Sequence, residues 1–339
     1  MTRGGLLAAS CAGLAGAALA AVLVGPVPLD PGAVLLELAG RLPLVDTHSG
    51  LSAQEVAILW QLRLPRVVLG GLVGAMLALA GAAYQGVFRN PLADPYLLGA
   101  AAGAGLGATL AIAYGPDTSG WPVELLPLAA FAGAVAGVAA AYALGRSGGA
   151  RTTTTLVLSG VAVAAFLTAI QTYVQQQRAE TLREVYGWIL GRLTTAGWRE
   201  VALVLPYALV STVAILLHRR LLDVLAVGDD EASSLGLKAS QVRLVVVGAA
   251  TLATAAAVAV SGLIGFVGII VPHTVRLVAG TSYRRLLPLS LVGGAAFLIL
   301  ADLVARTVTA PAELPIGVVT AFFGAPFFAL VLRTARRAP

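Results

Sequence analysis

The sequence predicts an all-α integral membrane protein with about ten transmembrane helices in a bundle rich in Gly and Ala. Of its 339 residues, 58% are hydrophobic and only 11% are charged, and the mean hydropathy is +0.90. A soluble domain carries about 25% charged residues, so this composition excludes a water-soluble enzyme. A disordered chain would be more polar still. The apolar residues also occur in runs long enough to cross a bilayer as helices.

Ten apolar segments are the predicted spans, and together they form a single transmembrane domain over residues 1–339. They cover residues 6–24, 67–87, 96–114, 123–144, 155–175, 200–217, 244–261, 262–279, 287–305 and 315–332. Gly-x-x-x-Gly pairs occur at Gly103–Gly107 and at Gly133–Gly137. Small residues let helix backbones approach closely, so we expect a densely packed bundle.

The basic residues predict that both termini lie in the cytoplasm. An even number of spans places the termini on one side, and putting them inside gives 14 Lys and Arg residues in the cytoplasm against 8 outside. This asymmetry is the one that orients membrane proteins. The first span resembles a signal peptide, with Arg3 before an apolar run and Cys11 in a poor lipoprotein-like context. We expect it to be retained as the first helix.

Two external segments are longer than a turn. Segment 25–62 contains an amphipathic stretch in which Ser52 and Glu55 fit a helix-capping box. Segment 176–199 mixes charged residues with tryptophans, which suits a helix lying at the membrane interface. Two interpretations of these segments remain open. They either only cover the bundle or also form a docking surface.

Segment 218–243 is the most polar part of the chain and is predicted to lie in the cytoplasm. Gly228 precedes the acidic triplet 229–231, which indicates a helix start because carboxylates are stabilised at helix N-termini. Gly236 then marks a helix end. Two short helices here would form a compact knob, which serves either as a helix–turn–helix connector or as the contact for a cytosolic partner.

The sequence lacks the motifs of nucleic-acid binding, metal binding and catalysis. Its net charge of +6 comes from arginines scattered between apolar runs, not from the basic face of a soluble domain. The histidines His48, His218 and His273 are not at metal-ligand spacing from one another. Leu237 precedes the only lysine, Lys238, which excludes a phosphate-binding P-loop. We therefore expect no metal, cofactor or nucleic acid on this chain and no enzymatic activity of its own.

Asp302 is the acidic residue predicted to lie inside a span. An ionisable residue at that depth indicates a functional role by default. Arg306 follows four residues later on the same helix face and can form an ion pair with it. Asp302 therefore has two open interpretations, a structural ion pair or a proton relay in a secondary transporter driven by an ion gradient. A third class, an integral-membrane enzyme, has only the triplet 229–231 as a candidate site.

Long blocks of the sequence carry the most specific signal. They begin at Arg63-Leu64-Pro65-Arg66 and continue through GAMLALAGAAYQGVFRNPLADPYLLG at 74–99. Further blocks are LVLSGVA (156–162), GDDEASSLGL (228–237), SGLIGFVGIIVPHTVRL (261–277) and LADLVARTVTAPAELPIGVVTAFFGAPFF (300–328). In this order, over about residues 55–335, they resemble the permease subunit of type II ABC importers for iron–siderophore, haem and vitamin B12, the FecCD family.

The resemblance implies a homodimer of ten-helix subunits in the bacterial inner membrane, with the pathway at the dimer interface. Two ATP-binding subunits would lie below the dimer and hold ATP and Mg. One substrate-binding protein, periplasmic or lipid-anchored, would dock above it. The implied function is the import of a large metal chelate by alternating access, with iron–siderophore favoured over haem and cobalamin. No residue identifies the cargo.

The same resemblance assigns roles to three groups of residues. Arginines that bind carboxylates of the binding protein are Arg63, Arg66 and Arg306. Residues of the knob that couple to the ATPase are Asp229, Asp230, Glu231, Ala232 and Gly236. Residues that close the cytoplasmic gate are Asn90, Leu92, Thr153 and Thr154. Which threonines of 152–155 face the pathway is open.

Overall fold

The computed structural model describes residues 3–41, 48–116, 124–147, 153–194 and 196–335, and all regular structure in these ranges is helical. The α-helices are, in chain order, α1 (Arg3–Leu23), α2 (Pro31–Ala39), α3 (Ala53–Ala57), α4 (Leu64–Phe88), α5 (Ala100–Tyr114), α6 (Leu125–Ser147), α7 (Thr153–Gln177), α8 (Leu182–Ile189), α9 (Trp198–Leu217), α10 (Arg219–Val227), α11 (Asp229–Ser234), α12 (Ala239–Ser261), α13 (Val267–Ala279), α14 (Tyr283–Thr307) and α15 (Ile316–Ala335). A π-helical turn, Ile58–Arg63, joins α3 to α4.

The predicted all-α class is confirmed, and each of the ten predicted segments lies on one apolar helix. Among the described residues, seven helices are long and apolar enough to cross a membrane, and α5, α13 and α15 are shorter apolar helices. The chain is therefore a multi-pass membrane protein. The short helices α2, α3, α8, α10 and α11 lie in the segments predicted to be external or cytoplasmic.

Two predicted spans begin later than their hydrophobicity suggests. The span predicted at 262–279 becomes helical only at Val267, because Gly262 (φ +69°) and Phe266 (φ +68°) adopt left-handed conformations. The span predicted at 96–114 starts with a 3-10 turn, and α5 follows Gly99 at φ +83°. Left-handed residues cannot continue a right-handed helix, and apolar composition alone does not reveal them.

The amphipathic stretch before the second span is part of one continuous helical rod. The predicted capping box is confirmed, since the Ser52 hydroxyl accepts from the Glu55 amide and the Glu55 carboxylate accepts from the Ser52 amide. The rod then runs through the π-helical turn into α4, so that helix continues from Ala53 to Phe88. Pro65 has no amide to donate, and the Trp60 carbonyl oxygen, five residues earlier in the π-helical turn, accepts instead from the indole of Trp198 at 2.8 Å.

Helices α4 and α12 form the centre of the bundle. Of the residues in their most apolar 18-residue windows, 78% are buried, against 17% in α7, which therefore lies at the periphery. Close backbone contacts hold α4 in place. A Cβ at Gly74 would overlap the carbonyl oxygen of Gly294 on α14, and one at Gly81 would overlap the backbone of Gly268 on α13. Glycine is required at these crossings because no side chain fits between the backbones.

The predicted close packing at the two Gly-x-x-x-Gly pairs is confirmed. They meet each other, since a Cβ at Gly103 on α5 would overlap the carbonyl oxygen of Gly133 on α6, and the reverse also holds. Gly107 and Gly137 continue the same crossing one turn away in each direction. The pairs thus join two consecutive helices into a rigid hairpin.

Candidate functional site

A charged cluster lies where α4, α14 and the loop before α15 meet. The guanidinium of Arg66 donates to both carboxylate oxygens of Asp302 at 2.8–3.1 Å and to both oxygens of Glu313 at 2.8 and 2.9 Å. The Asp302 side chain is 4% exposed, and that of Glu313 is 26% exposed. Arg66 therefore joins a buried carboxylate to one at the surface with charge-assisted hydrogen bonds.

The predicted ion pair between Asp302 and Arg306 is present but weaker than expected. Arg306 Nε lies 3.7 Å from Asp302 Oδ2 and makes no hydrogen bond to the described residues. The principal partner of Asp302 is Arg66, at 2.8 Å. Sequence spacing favoured the residue four positions away, whereas the close crossing of α4 on α14 brings in an arginine from 236 residues upstream.

Two of the predicted docking arginines bind the C-terminal end of α1. Arg63 Nη1 donates to the carbonyl oxygens of Val22 and Leu23 at 2.9 and 3.1 Å, and Arg306 Nη2 donates to that of Ala21. The last carbonyls of a helix lack intrahelical donors and carry partial negative charge. Both guanidinium groups are thus enclosed, at 4% and 2% exposure, instead of facing outward.

These contacts bear on the predicted docking role of Arg63, Arg66 and Arg306. No binding protein is present, so the role stays a prediction for all three. Of the three arginines, only Arg66 forms an ion pair with a partly exposed carboxylate, that of Glu313. The contacts also make α1 part of the folded bundle, and its retention as the first helix stays a prediction.

The predicted cytoplasmic knob consists of α10 and α11. Helix α11 begins directly after Gly228, and Gly236 adopts φ +76° two residues after the helix ends, as the glycine positions predicted. Ala232 is fully buried, whereas the neighbouring acids Asp230 and Glu231 are exposed. The knob therefore presents an acidic edge to solvent.

Ion pairs and hydrogen bonds fasten the knob to three long helices. The Asp229 carboxylate accepts from Arg243 on α12 at 2.6 and 2.8 Å and forms an ion pair with Arg89 at the end of α4. At the other end of the knob, Asp223 accepts from the amide of Tyr283 at 2.6 Å, at the start of α14. A force on the knob is thereby transmitted to α4, α12 and α14 together.

The predicted gate residues Asn90 and Leu92 lie in the loop after α4. Asn90 Oδ1 accepts from the Leu92 amide at 2.9 Å. Buried Gln85 on α4 ties this loop to α13 by donating to the carbonyl oxygens of Ala93 at 3.3 Å and Gly268 at 3.0 Å. Of the second pair, Thr153 begins α7 with its side chain outside the described residues, and Thr154 is exposed. The closing role of all four residues stays a prediction.

The same loop ends in a half-buried carboxylate, that of Asp94, which the sequence did not mark as special. Asp94 accepts from the Tyr96 amide at 2.8 Å and so caps the 3-10 turn before α5. Burial raises the pKa of Asp94 to about 6, and the Tyr96 hydrogen bond opposes that rise. This cap fixes the position of the loop after α4 relative to α5.

A cavity of about 440 Å³ opens between α5, α7 and α8. Its polar lining on α7 is a stripe of four residues at helical spacing, Thr168, Gln171, Thr172 and Gln175. Sequence reasoning missed this stripe, although recurrence at three- and four-residue intervals is the signal that reveals one helix face. Sequence reasoning also missed Glu313, for which no local signal exists because its partner lies 247 residues away.

No cluster of three or more His, Cys, Asp or Glu residues at metal-binding distance occurs in the part of the chain that the structure describes.

Comparison with known proteins places the chain in a family. The model of the FecCD transport family matches residues 13–334. The chain is 42% identical over 285 residues to the cobalamin import system permease protein BtuC of Halobacterium salinarum, covering 84% of this chain and 75% of that protein. It is 36% identical over 319 residues to the Fe(3+) dicitrate transport system permease protein FecD of Escherichia coli, covering 94% and 95%.

The similarity in fold agrees with the family match. A solved structure reported as an inward-facing conformation of a metal-chelate type ABC transporter superimposes with a TM-score of 0.84 at 28% identity. The alignment covers 97% of this chain and 99% of that one. The chain belongs to the FecCD transport family, whose members are permease subunits of ABC importers.

Proposed function

We propose that this chain is the membrane-spanning permease subunit of an ABC importer that carries a large metal chelate across the bacterial inner membrane. All ten apolar helices cross the bilayer, both termini lie in the cytoplasm, and two copies enclose the pathway. Separate subunits hydrolyse ATP with Mg below the dimer, and one substrate-binding protein delivers the chelate from above. The observation that carries the proposal is the family match over residues 13–334.

The knob formed by α10 and α11 supports ATPase coupling. Its exposed surface combines the acids Asp230 and Glu231 with the apolar side chains of Val227 and Leu235, which are 72% and 73% exposed. Apolar side chains that stand out beside charged groups are typical of a surface that a partner covers. Because Asp229 and Asp223 fix the knob to three long helices, movement of an attached ATPase would move those helices as one body.

Replacing Gly236 with valine is expected to uncouple ATP hydrolysis from transport. A β-branched residue is strained at φ +76°, so the turn after α11 would have to change and shift the knob. Gly236→Asn is the matched control, because asparagine tolerates the left-handed conformation. In proteoliposomes, we expect uptake to fall at least tenfold with valine and less than twofold with asparagine. Equal uptake by both variants would contradict the coupling role.

Helix α7 is proposed to line the pathway of the homodimer. It lies at the periphery of the chain, yet Thr168 and Thr172 are exposed and Gln175 is half-buried. The Thr172 hydroxyl donates to the Thr168 carbonyl oxygen at 2.9 Å, but lipid does not satisfy the Thr168 hydroxyl or the Gln175 amide, so this face requires water or protein. The adjacent face carries Phe166 and Tyr173, which are 66% and 62% exposed and suit a protein interface. A second copy against α7 would give both faces a suitable environment.

The proposed topology predicts which residues react from outside the cell. Cys11 is the only cysteine, so Cys11→Ser provides a background for single-cysteine variants. In spheroplasts, a membrane-impermeant maleimide is expected to label Glu180→Cys before lysis and Ser233→Cys only after lysis. The opposite order would place the knob outside and overturn the proposed orientation.

For docking, the proposal gives the leading role to Arg66. Its guanidinium holds the partly exposed carboxylate of Glu313, so a carboxylate of the binding protein would bind Arg66 by displacing Glu313. Contact of Arg63 or Arg306 with a partner would require that they leave the carbonyl oxygens of α1.

Reconstitution tests the proposal as a whole. The chain is combined with its ATP-binding subunit in liposomes, the cognate binding protein is added outside, and ⁵⁵Fe uptake from ferric chelates is measured. We expect uptake that requires ATP, Mg and the binding protein together. Uptake driven by a proton or sodium gradient without ATP would overturn the proposal and support the secondary-transporter alternative.

A further inference from the structure

A second cavity, of about 270 Å³, opens where α4 and α6 end and where α7 and α12 begin. Its larger apolar residues are Val87, Phe88, Leu156, Leu244 and Val247. Its polar and charged residues, apart from a tyrosine, are Arg146, Ser240, Gln241 and Arg243. Val87, Phe88 and Val247 are buried, whereas Arg146, Ser240 and Gln241 are exposed. The cavity thus has a buried apolar wall and an exposed cationic, hydrogen-bonding one.

The division between the two walls follows the predicted ends of the spans. Arg146 lies two residues after one predicted span, and Arg243 lies directly before another. The apolar residues Val87, Leu156 and Val247 lie within predicted spans. In a bilayer, the polar wall would therefore stand at the level of the headgroups and the apolar wall at the level of the acyl chains. A ligand that fits both walls is an amphiphile.

The charge at this cavity is positive. None of the described residues that line it is acidic. Arg146 lies over the ring of Tyr142, 5.7 Å from its centroid, and forms no ion pair with the described residues. Arg243 shares the carboxylate of Asp229 with Arg89. Three guanidinium groups therefore stand beside one carboxylate, and an anion at Arg146 would reduce this excess of positive charge.

An ATP-binding subunit fits this cavity less well than a lipid does. The surface proposed to contact that subunit is the acidic edge of the knob, at Asp230 and Glu231, and neither residue lines the cavity. The cavity instead lies between the ends of four helices that are proposed to cross the bilayer. Lipid molecules reach such a place directly from the membrane.

We infer that this cavity binds one anionic phospholipid of the cytoplasmic leaflet, with its phosphate at Arg146 and an acyl chain against Phe88 and Leu156. The inference rests on the proposed function, which places these helix ends at the cytoplasmic surface. That leaflet carries anionic lipids, and basic pockets between helices on that side bind acidic headgroups. Ser240 and Gln241 supply further donors to phosphate oxygens. An occupied site would connect the end of α6 to the start of α12.

Native mass spectrometry tests the inference, because it counts bound lipids one at a time. The chain is delipidated in detergent, alone and with its ATP-binding subunit, and is titrated with dioleoylphosphatidylglycerol. The comparison lipid, dioleoylphosphatidylcholine, has the same acyl chains and no net charge. We expect the anionic lipid to bind about fivefold more tightly, which corresponds to about 1 kcal/mol for one basic residue near an anionic lipid. We expect sn-glycerol 3-phosphate, which lacks acyl chains, not to bind at the same concentrations.

Variants connect the preference to the cavity. Arg146→Gln is expected to lower the affinity for phosphatidylglycerol about fivefold and to leave that for phosphatidylcholine unchanged. Ser240→Glu is expected to act in the same direction by placing a carboxylate in the cavity. Ser240 is exposed in the first turn of α12, where an acid is stabilised, so this variant should fold. The matched control is Arg284→Gln, which removes an exposed arginine outside the cavity lining and should change neither affinity.

The outcomes separate the lipid from other occupants. Equal binding of the two lipids, an unchanged affinity in Arg146→Gln, or equally tight binding of sn-glycerol 3-phosphate would each overturn the inference. Loss of the bound lipid when the ATP-binding subunit assembles would assign the cavity to that subunit and would also overturn it. Failure of the chain to assemble with any ATP-binding subunit would instead overturn the proposed function, while lipid binding to the chain alone could still be measured.

Discussion

Replacing Gly81 with valine is expected to abolish accumulation of the folded chain in the membrane. Gly81 lies on α4, which with α12 is the most enclosed of the long helices, and a Cβ there would overlap backbone atoms of Gly268 on α13. A backbone atom cannot rotate away as the end of a side chain can, so α4 and α13 would have to separate. Overpacking of a core costs about 1–3 kcal/mol where side chains yield, and we expect more here. Fluorescence-detected size-exclusion chromatography of the solubilised chain measures the effect.

The matched control is Gly248→Val on α12. No heavy atom outside its own helix lies within 4 Å of a Cβ built at Gly248, although its helix is buried elsewhere to the same extent as α4. We expect this variant to elute as the parent chain does. If Gly81→Val elutes as a monodisperse peak at the same yield, the close approach of α4 and α13 is not required for folding.

Replacing Asp302 with asparagine is expected to destabilise the chain by about 3–5 kcal/mol, the cost of removing one partner of a buried ion pair. Arg66 would keep only Glu313, and Arg306 would lose its one nearby carboxylate among the described residues. Thermal unfolding in detergent measures the loss. Asp30→Asn is the matched control, because Asp30 is an exposed helix cap at which asparagine serves equally well.

A double-mutant cycle separates the ion pair from other effects of the substitution. Removing both charges, with Arg66→Met and Asp302→Leu, is expected to cost less than the sum of the two single substitutions, because each single substitution leaves the charge of the other partner without its main counter-ion. Additive losses would show that Arg66 and Asp302 act independently, contrary to their contact at 2.8 Å.

The same variants distinguish the ion pair from a proton relay. Asp302 accepts three hydrogen bonds from the Arg66 guanidinium, which is the geometry of a structural ion pair. We expect the folded Asp302→Asn chain, which keeps Arg66, to retain ATP-dependent uptake. A relay would instead lose all uptake in every variant that lacks Asp302, whether or not the chain is folded.

Features that depend on neighbouring residues were predictable from the sequence. The capping box of Ser52 and Glu55 and the knob bounded by Gly228 and Gly236 follow from local backbone chemistry. The apolar runs identified the seven long and three shorter apolar helices of the described residues for the same reason, since hydrophobicity is summed over adjacent residues. The family resemblance came from long blocks in order, and the match over residues 13–334 confirms it.

Features that depend on how helices cross were not predictable. Arg66 pairs with Asp302 and Glu313 only because α4 packs against α14, and Arg63 caps α1 from 40 residues away. An arginine that satisfies a helix terminus and one that awaits a partner protein look alike in a sequence. The left-handed conformation of Phe266 was hidden too, because a bulky residue gives no sign of positive φ.

Purification of the tagged chain from its native membrane in mild detergent tests the central claim most directly. Mass spectrometry of the intact complex identifies the partners and measures their stoichiometry. We predict two copies of this chain with two copies of an ATP-binding subunit, and hydrolysis of ATP that rises when the binding protein is added. A chain that is folded, active in gradient-driven uptake and free of any ATP-binding subunit would contradict the assignment as an ABC importer permease.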